Sequence, residues 1–227
     1  MATHLVTGAG SGIGQVVAER LLERGDDVWL LARSTERAHD LRADLPDATV
    51  LVADLAWPES VESLELPESL DSLVHAAGIV ELGAVADLSV DDWASQLRVN
   101  LVAPAALTRV ALPALRNGRG TVVFVNSGAG LVAHPQWAAY AASKFGLRAV
   151  ADSLRAEEAA AGVRVTSVYL GRIATPMQQK VHEQEGKDYD ASEWISADTV
   201  AGMILHVLDL PVDATIPDVT VRPGPGD

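Results

Sequence analysis

The sequence predicts an α/β fold, a single domain on a doubly wound parallel sheet of about seven strands with helices on both faces. Three observations carry that reading. Short apolar runs alternate with stretches of helical spacing along the chain. The first such run feeds directly into a glycine-rich turn, TGAGSGIG at 7–14. The strand-like runs, such as VWLLA at 28–32 and TVVFVN at 121–126, are apolar almost throughout, as strands covered on both faces are.

Taken in order, a strand beginning at His4 runs into the glycine turn at Thr7, and residues 15–24 place Val16, Val17, Leu21 and Leu22 at helical spacing. Gly25 stops that helix, and the strand at 28–32 follows. Strand, glycine turn, helix and strand within about thirty residues form the setting that a dinucleotide fingerprint requires. A helix is expected around 35–45, then a strand at 49–53 closed by Asp54, a weaker helix over 58–70 and a strand over 72–78. Helices near 90–98 and 102–116 precede the strand at 121–126. A long helix over 138–161 stops at Gly162, and strands at 164–170 and 218–223 complete the set. The stretch 172–197 is polar and has no clear strand pattern, so it is expected to be a mobile lid over a binding site.

Composition excludes several classes of function. Seventeen basic against 31 acidic residues give a formal charge of −14, which argues against a broad nucleic-acid surface. The absence of cysteine excludes disulfides, thiolate catalysis and Cys-ligated metals, and the six histidines have no metal-ligand spacing. Residues 120–143 carry no Asp, Glu, Lys or Arg, but three glycines, Asn126, His134, Pro135 and Gln136 interrupt them, which argues against a membrane span. The N-terminus has no basic segment followed by a long apolar one, so a soluble, cytoplasmic protein is expected.

The candidate chemistry lies between Ser127 and Lys144. Ser127 closes the apolar run at 121–126, where open α/β sheets bind their ligands. Tyr140 follows thirteen positions later, and Lys144 stands four residues beyond it, one helical turn along the same face. A hydroxyl, a phenol and an ammonium at one point fit proton transfer to or from an oxygen. No G-x-S-x-G elbow surrounds Ser127, which argues against a hydrolase.

Together these residues resemble the short-chain dehydrogenase/reductase superfamily, in its compact single-domain branch, over essentially the whole chain. Thr7, Gly8, Gly12, Ile13 and Gly14 match its TGxxxGIG turn, and Ala76, Ala77 and Gly78 match its Asn-Ala-Ala-Gly segment. Asn100, Ser127, Tyr140 and Lys144 match its tetrad; Gly171, Thr175 and Pro176 match the segment after the sixth strand. The resemblance implies a Rossmann-like fold and hydride transfer between a nicotinamide and a carbonyl compound. It implies Tyr140 as acid/base, its pKa lowered by Lys144 and the oxidised nicotinamide, and Lys144 on the nicotinamide ribose. Ser127 would hold the substrate oxygen. Asn100 would anchor a water leading to Lys144, or instead bend or cap a helix.

Other cofactor contacts expected on this basis are Ser11, Arg33, Asp54, Leu55 and Ile173. An NAD-binding chain of this fold places a carboxylate at the end of the second strand. Here Ala32 ends that strand and Arg33, whose guanidinium can pair with a 2′-phosphate, comes next, so NADP(H) is expected over NAD(H). Ser11 stands where many NADP-using relatives carry a second cation, and Arg33 could instead be a solvated strand-end residue. Trp137, Met177 and Trp194 are candidates for the substrate pocket, the tryptophans alternatively for core or interface. His75 replaces the family's usual Asn, and a structural hydrogen bond suits it better than a catalytic role. Rival readings are an idle nucleotide-binding sensor or scaffold and a nucleotide-sugar epimerase or dehydratase. Relatives are often homodimers or homotetramers through the helices at 102–116 and 138–161.

Overall fold

The computed structural model describes residues 1–224. Its first half runs β1 (Thr3–Thr7), α1 (Gly12–Glu23), β2 (Asp27–Ala32), α2 (Thr35–Asp44), β3 (Thr49–Val52), β4 (Ser72–His75) and α3 (Val90–Leu97). The second half runs α4 (Ala103–Gly118), β5 (Thr121–Ser127), α5 (Ala138–Glu158), β6 (Arg164–Leu170), β7 (Ile173–Ala174), α6 (Pro176–Glu185), β8 (Ile195–Ser196), α7 (Ala197–Leu208) and β9 (Asp218–Val221). Seven strands form one sheet in the order β3-β2-β1-β4-β5-β6-β9, with every neighbouring pair parallel. The strand order reverses between β1 and β4, which opens a crevice at their carboxyl ends.

Alternation along the strands builds two cores. Leu5, Leu73, Val122 and Val165 lie in register across β1, β4, β5 and β6. They face Leu107, Ala111 and Leu115 of α4 and Leu147, Ala151 and Leu154 of α5. Their sequence neighbours Val6, Val74 and Val123 point the other way, towards Val17 and Leu21 of α1, Leu41 of α2 and Ile204 of α7. Central strands are therefore apolar at consecutive positions, because each face meets a helix layer. Among the described residues, no helix is long and apolar enough to cross a membrane.

Four stretches differ from the sequence expectation. Over 58–70 only a 3₁₀ segment forms, Pro58–Ser63, since Pro67 disfavours helical geometry at the residue before it. The strand expected over 72–78 ends at His75, where the backbone N–H groups of Ala76 and Ala77 donate to the Thr7 hydroxyl at 3.1 and 3.2 Å and leave the sheet. α3 and α4 are not separate helices but join through a π-helical turn at Arg98–Val102. The expected irregular stretch 172–197 contains β7, α6 and β8. Thr175 caps α6, Pro176 starts it and Gly186, at φ 65°, ends it. Met177 and Val181 are the residues of α6 that join an apolar cluster, too few to give clear hydrophobic spacing.

His75 is a structural residue. Its Nε2 lies 2.8 Å from the Thr108 hydroxyl of α4, and its ring stacks on Phe124 with centroids 4.9 Å apart. Burial, aided by the Lys144 charge, pushes its pKa down to about 3. The folded state therefore resists protonation that the unfolded chain accepts near the ordinary value of 6.5. Stability from this site is fully present above about pH 6.5 and is lost as pH falls towards 3. At pH 5 the loss should reach about 2 kcal/mol. His75→Asn should make the fall in melting temperature between pH 7 and 5 shallower than in the parent, as read by calorimetry. Equal slopes would contradict this account of the buried imidazole.

Candidate active site

One cleft of about 1050 Å³ runs along the carboxyl ends of the sheet, from Arg33 and Arg37 to Trp137 and Val181. Its floor is the glycine turn. Gly8 adopts φ 73°, and a Cβ there would lie 2.7 Å from the Ala77 nitrogen. Gly12 adopts φ 59° and faces Thr175, whose methyl group would be 3.1 Å from an added Cβ. Ser11 precedes α1 without a side-chain cap, and the first turn holds no acidic residue. The α1 amides therefore face the cleft free of an internal anion, an arrangement that fits a pyrophosphate.

Two residues expected to touch a cofactor lie behind this floor. Thr7 is buried, and its hydroxyl donates to the Val74 carbonyl at 3.4 Å while receiving Ala76 and Ala77. Gly14 lets α1 close on β1, since a Cβ there would sit 2.5 Å from the Gly8 carbonyl oxygen. Gly8, Ser11, Gly12, Ile13, Asp54, Leu55, Ala76, Ala77, Gly78, Gly171, Ile173 and Thr175 all line the cleft. The Asp54 carboxylate accepts from the Ala56 N–H at 2.9 Å and shapes the turn after β3.

At the other end, β5 and α5 assemble the polar centre. Ser127 ends β5, and its hydroxyl accepts from the Ala129 N–H at 3.1 Å. Tyr140 and Lys144 project from α5, with the ammonium 5.8 Å from the phenol ring centroid. Lys144 Nζ donates to the Val125 carbonyl at 3.0 Å. Burial raises the Tyr140 pKa to about 12, opposed by a hydrogen bond with Ser127. Burial also lowers Lys144, to about 8. In the protein itself, loss of water is the dominant influence on both groups.

Asn100 sits in the π-helical turn and is fully buried. Its amide donates to the Ile79 carbonyl at 2.8 Å and to the Ser143 hydroxyl at 3.1 Å, while its oxygen accepts the Ile79 N–H at 2.8 Å. Both amide hydrogens are engaged, so the side chain ties the segment after β4 to α5 and holds the helix distortion in place. Gly78 lies beside it; a Cβ there would approach Asn100 Oδ1 to 3.3 Å and Lys144 Nζ to 3.9 Å.

Of the pocket candidates, Trp137 and Met177 line the cleft, and Trp137 meets Tyr140 edge-on at 5.7 Å. Trp194 is not a wall of the cleft. It packs behind α6 against His182, with ring centroids 5.3 Å apart, and under the Arg172 guanidinium at 5.4 Å. Arg37, Val80, His134 and Val181 were not foreseen as lining residues. Arg37 carried a readable signal: Ser34 caps α2 and Arg37 is the third residue inside it, where a side chain can turn back to the glycine loop. Its guanidinium would lie 3.1 Å from a Cβ on Gly10. Arg33 is exposed and, among the described residues, makes no ion pair or side-chain hydrogen bond.

A family model described as short chain dehydrogenase matches residues 2–186. The chain is 32% identical over 241 residues to a dehydrogenase/reductase SDR family protein 7-like from Drosophila melanogaster, covering 96% of this chain and 73% of that one. An uncharacterised oxidoreductase of Staphylococcus epidermidis is 28% identical over 226 residues, 96% of each chain. Among solved structures, a variant actinorhodin polyketide ketoreductase with NADPH matches with a TM-score of 0.86 at 28% identity, covering 97% of this chain and 95% of that one. The chain belongs to the short-chain dehydrogenase family, as an oxidoreductase with the Rossmann-like fold.

Proposed function

We propose that this chain is an NADP(H)-dependent oxidoreductase that interconverts a ketone or aldehyde and the corresponding alcohol. The observation that carries the reading is one cleft holding an anion-accepting glycine turn, two arginines and no strand-end carboxylate at one end, with Ser127, Tyr140 and Lys144 at the other. The NADP(H)-bound ketoreductase that this chain resembles supports the cofactor class. When bound, the nicotinamide supplies or accepts the hydride at the carbonyl carbon.

The residues of this chain manage the proton. A phenol raised to about 12 stays protonated at neutral pH and can donate to an oxygen that gains negative charge. Ser127 orients that oxygen and hydrogen-bonds the phenol. Lys144, lowered to about 8, remains mostly charged at pH 7 and offsets the phenolate that proton loss leaves behind. Arg33 and Arg37, which line the far end of the cleft, would hold a 2′-phosphate there, and a carboxylate in place of Ala32 would repel it.

Tyr140→Phe keeps the ring and removes the donor. Turnover should fall roughly 10²–10⁴-fold while the NADP(H) dissociation constant stays within about twofold. Near-normal turnover on any substrate the parent uses would contradict the role of the phenol.

For the cofactor, Arg33→Ala should weaken NADP(H) binding about 10- to 100-fold and leave NAD(H) unchanged, the loss of a charge-assisted contact. Ala32→Asp should shift preference towards NAD(H). Calorimetric titration of both cofactors against the parent decides this, and equal or tighter NAD(H) binding by the parent would overturn the assignment.

A further inference from the structure

Beside Ser127 and Tyr140 the cleft wall is apolar. Val80, Ala129 and Val181 are buried there with the phenol, and Trp137 and Met177 pack against them. All five line the cleft, contributed by the segment after β4, the β5–α5 loop and α6.

The indole of Trp137 is held in position by its backbone. Gln136, just before it, adopts φ 68°, a left-handed conformation that is unfavourable for a non-glycine residue. The Gln136 carbonyl accepts from the Gly83 N–H at 2.8 Å, and the Trp137 N–H donates to the His134 carbonyl at 3.1 Å. These bonds fix the turn so that the indole meets the phenol edge-on, with rings inclined by 70°. Strained backbone sustained by its neighbours is typical of a positioned binding group.

The charges that reach the same end are already matched. Arg172 and Glu185 line the cleft but pair with each other at 2.6 Å. The Arg172 guanidinium also rests on Trp194, and Glu185 takes a second cation from Lys187 at 3.1 Å. Lys144 is buried and bonded to Val125. Arg33, Arg37 and Asp54 belong to the opposite end. A carboxylate or phosphate placed against the wall would lose its water and meet, among the described residues, cations already engaged, Arg172 by Glu185 and the buried Lys144 by the Val125 carbonyl. The formal charge of −14 adds repulsion of anions at longer range.

We infer that the site takes an uncharged ketone or aldehyde with an apolar, aryl-sized substituent, or the matching alcohol, and that Trp137 sets this preference. The inference rests on the oxidoreductase reading above and adds a substrate class to it. Hydride goes to the carbonyl carbon and the Tyr140 proton to its oxygen, so only the substituents meet the wall. A ring laid against the indole gains apolar contact area and an aromatic pair.

Acetophenone and phenylglyoxylate, which differ by a methyl group against a carboxylate, test the proposal. Their binding to the NADP⁺-loaded protein is measured by calorimetry, and their reduction by NADPH absorbance. Acetophenone should win by on the order of a hundredfold in both readouts, the scale expected for burying an unpaired charge. Trp137→Ala should raise the acetophenone dissociation constant about tenfold or more without moving that of NADP⁺. Phenylglyoxylate binding as well or better, neither ketone binding at millimolar concentration, or an unaffected Trp137→Ala variant would overturn the inference. Acetophenone binding selectively without reduction would instead count against the hydride-transfer reading and leave the substrate-site chemistry standing.

Discussion

Lys144 is bonded to β5 twice, once by its side chain and once by its backbone. Its Nζ donates to the Val125 carbonyl at 3.0 Å, and its own carbonyl accepts from the Asn126 amide at 3.2 Å. The Asn126 oxygen then receives the Ser127 N–H at 2.8 Å. This clamp sets the register between strand and helix, and Tyr140, one turn before Lys144, is placed by it. Gly130 makes the close approach possible, because a Cβ there would come within 2.6 Å of Asn126 Oδ1 and 3.0 Å of the Lys144 carbonyl oxygen. The positions of the hydroxyl, phenol and ammonium all depend on this junction.

The same burial that fixes these groups sets their acidity. Loss of water disfavours every charged form, so the phenol rises and the ammonium falls. Their values move apart, the phenol from 10.0 to about 12 and the ammonium from 10.5 to about 8, so at neutral pH the phenol keeps its proton as a donor beside a lysine that is still mostly charged. At the other end of the cleft the logic is reversed. Arg33 is exposed, and Arg37 pairs at 2.8 Å with Asp40 of its own helix while staying partly open to solvent, so both guanidinium groups keep much of their hydration.

Much of this was legible in the sequence because it is local. The central strands are buried on both faces and read as apolar runs; Tyr140 and Lys144 share a helix face by spacing alone. The glycine turn announced itself through residues that only glycine can replace without collision, Gly8 and Gly14 among them. What stayed hidden depends on contacts distant in sequence. Leu82 donates to Gln184 at 2.7 Å across 102 positions, a contact that helps seat α6 and that periodicity cannot reveal. Asn100 was singled out, but its hydrogen bonds to Ile79 depend on a π-helical turn that no local pattern encodes. Trp194 looked like a pocket residue by position in the chain, yet Arg172 and His182 hold it behind α6.

The most direct measurement follows the hydrogen that reaches the carbonyl carbon. NADPH carrying deuterium at both C4 positions is incubated with the protein and a neutral ketone in ordinary water, and the alcohol is analysed by mass spectrometry. One deuterium on the carbinol carbon of every product molecule is the expected result, with the hydroxyl hydrogen drawn from solvent through Tyr140. Product whose carbinol hydrogen comes from water would contradict hydride transfer at this site.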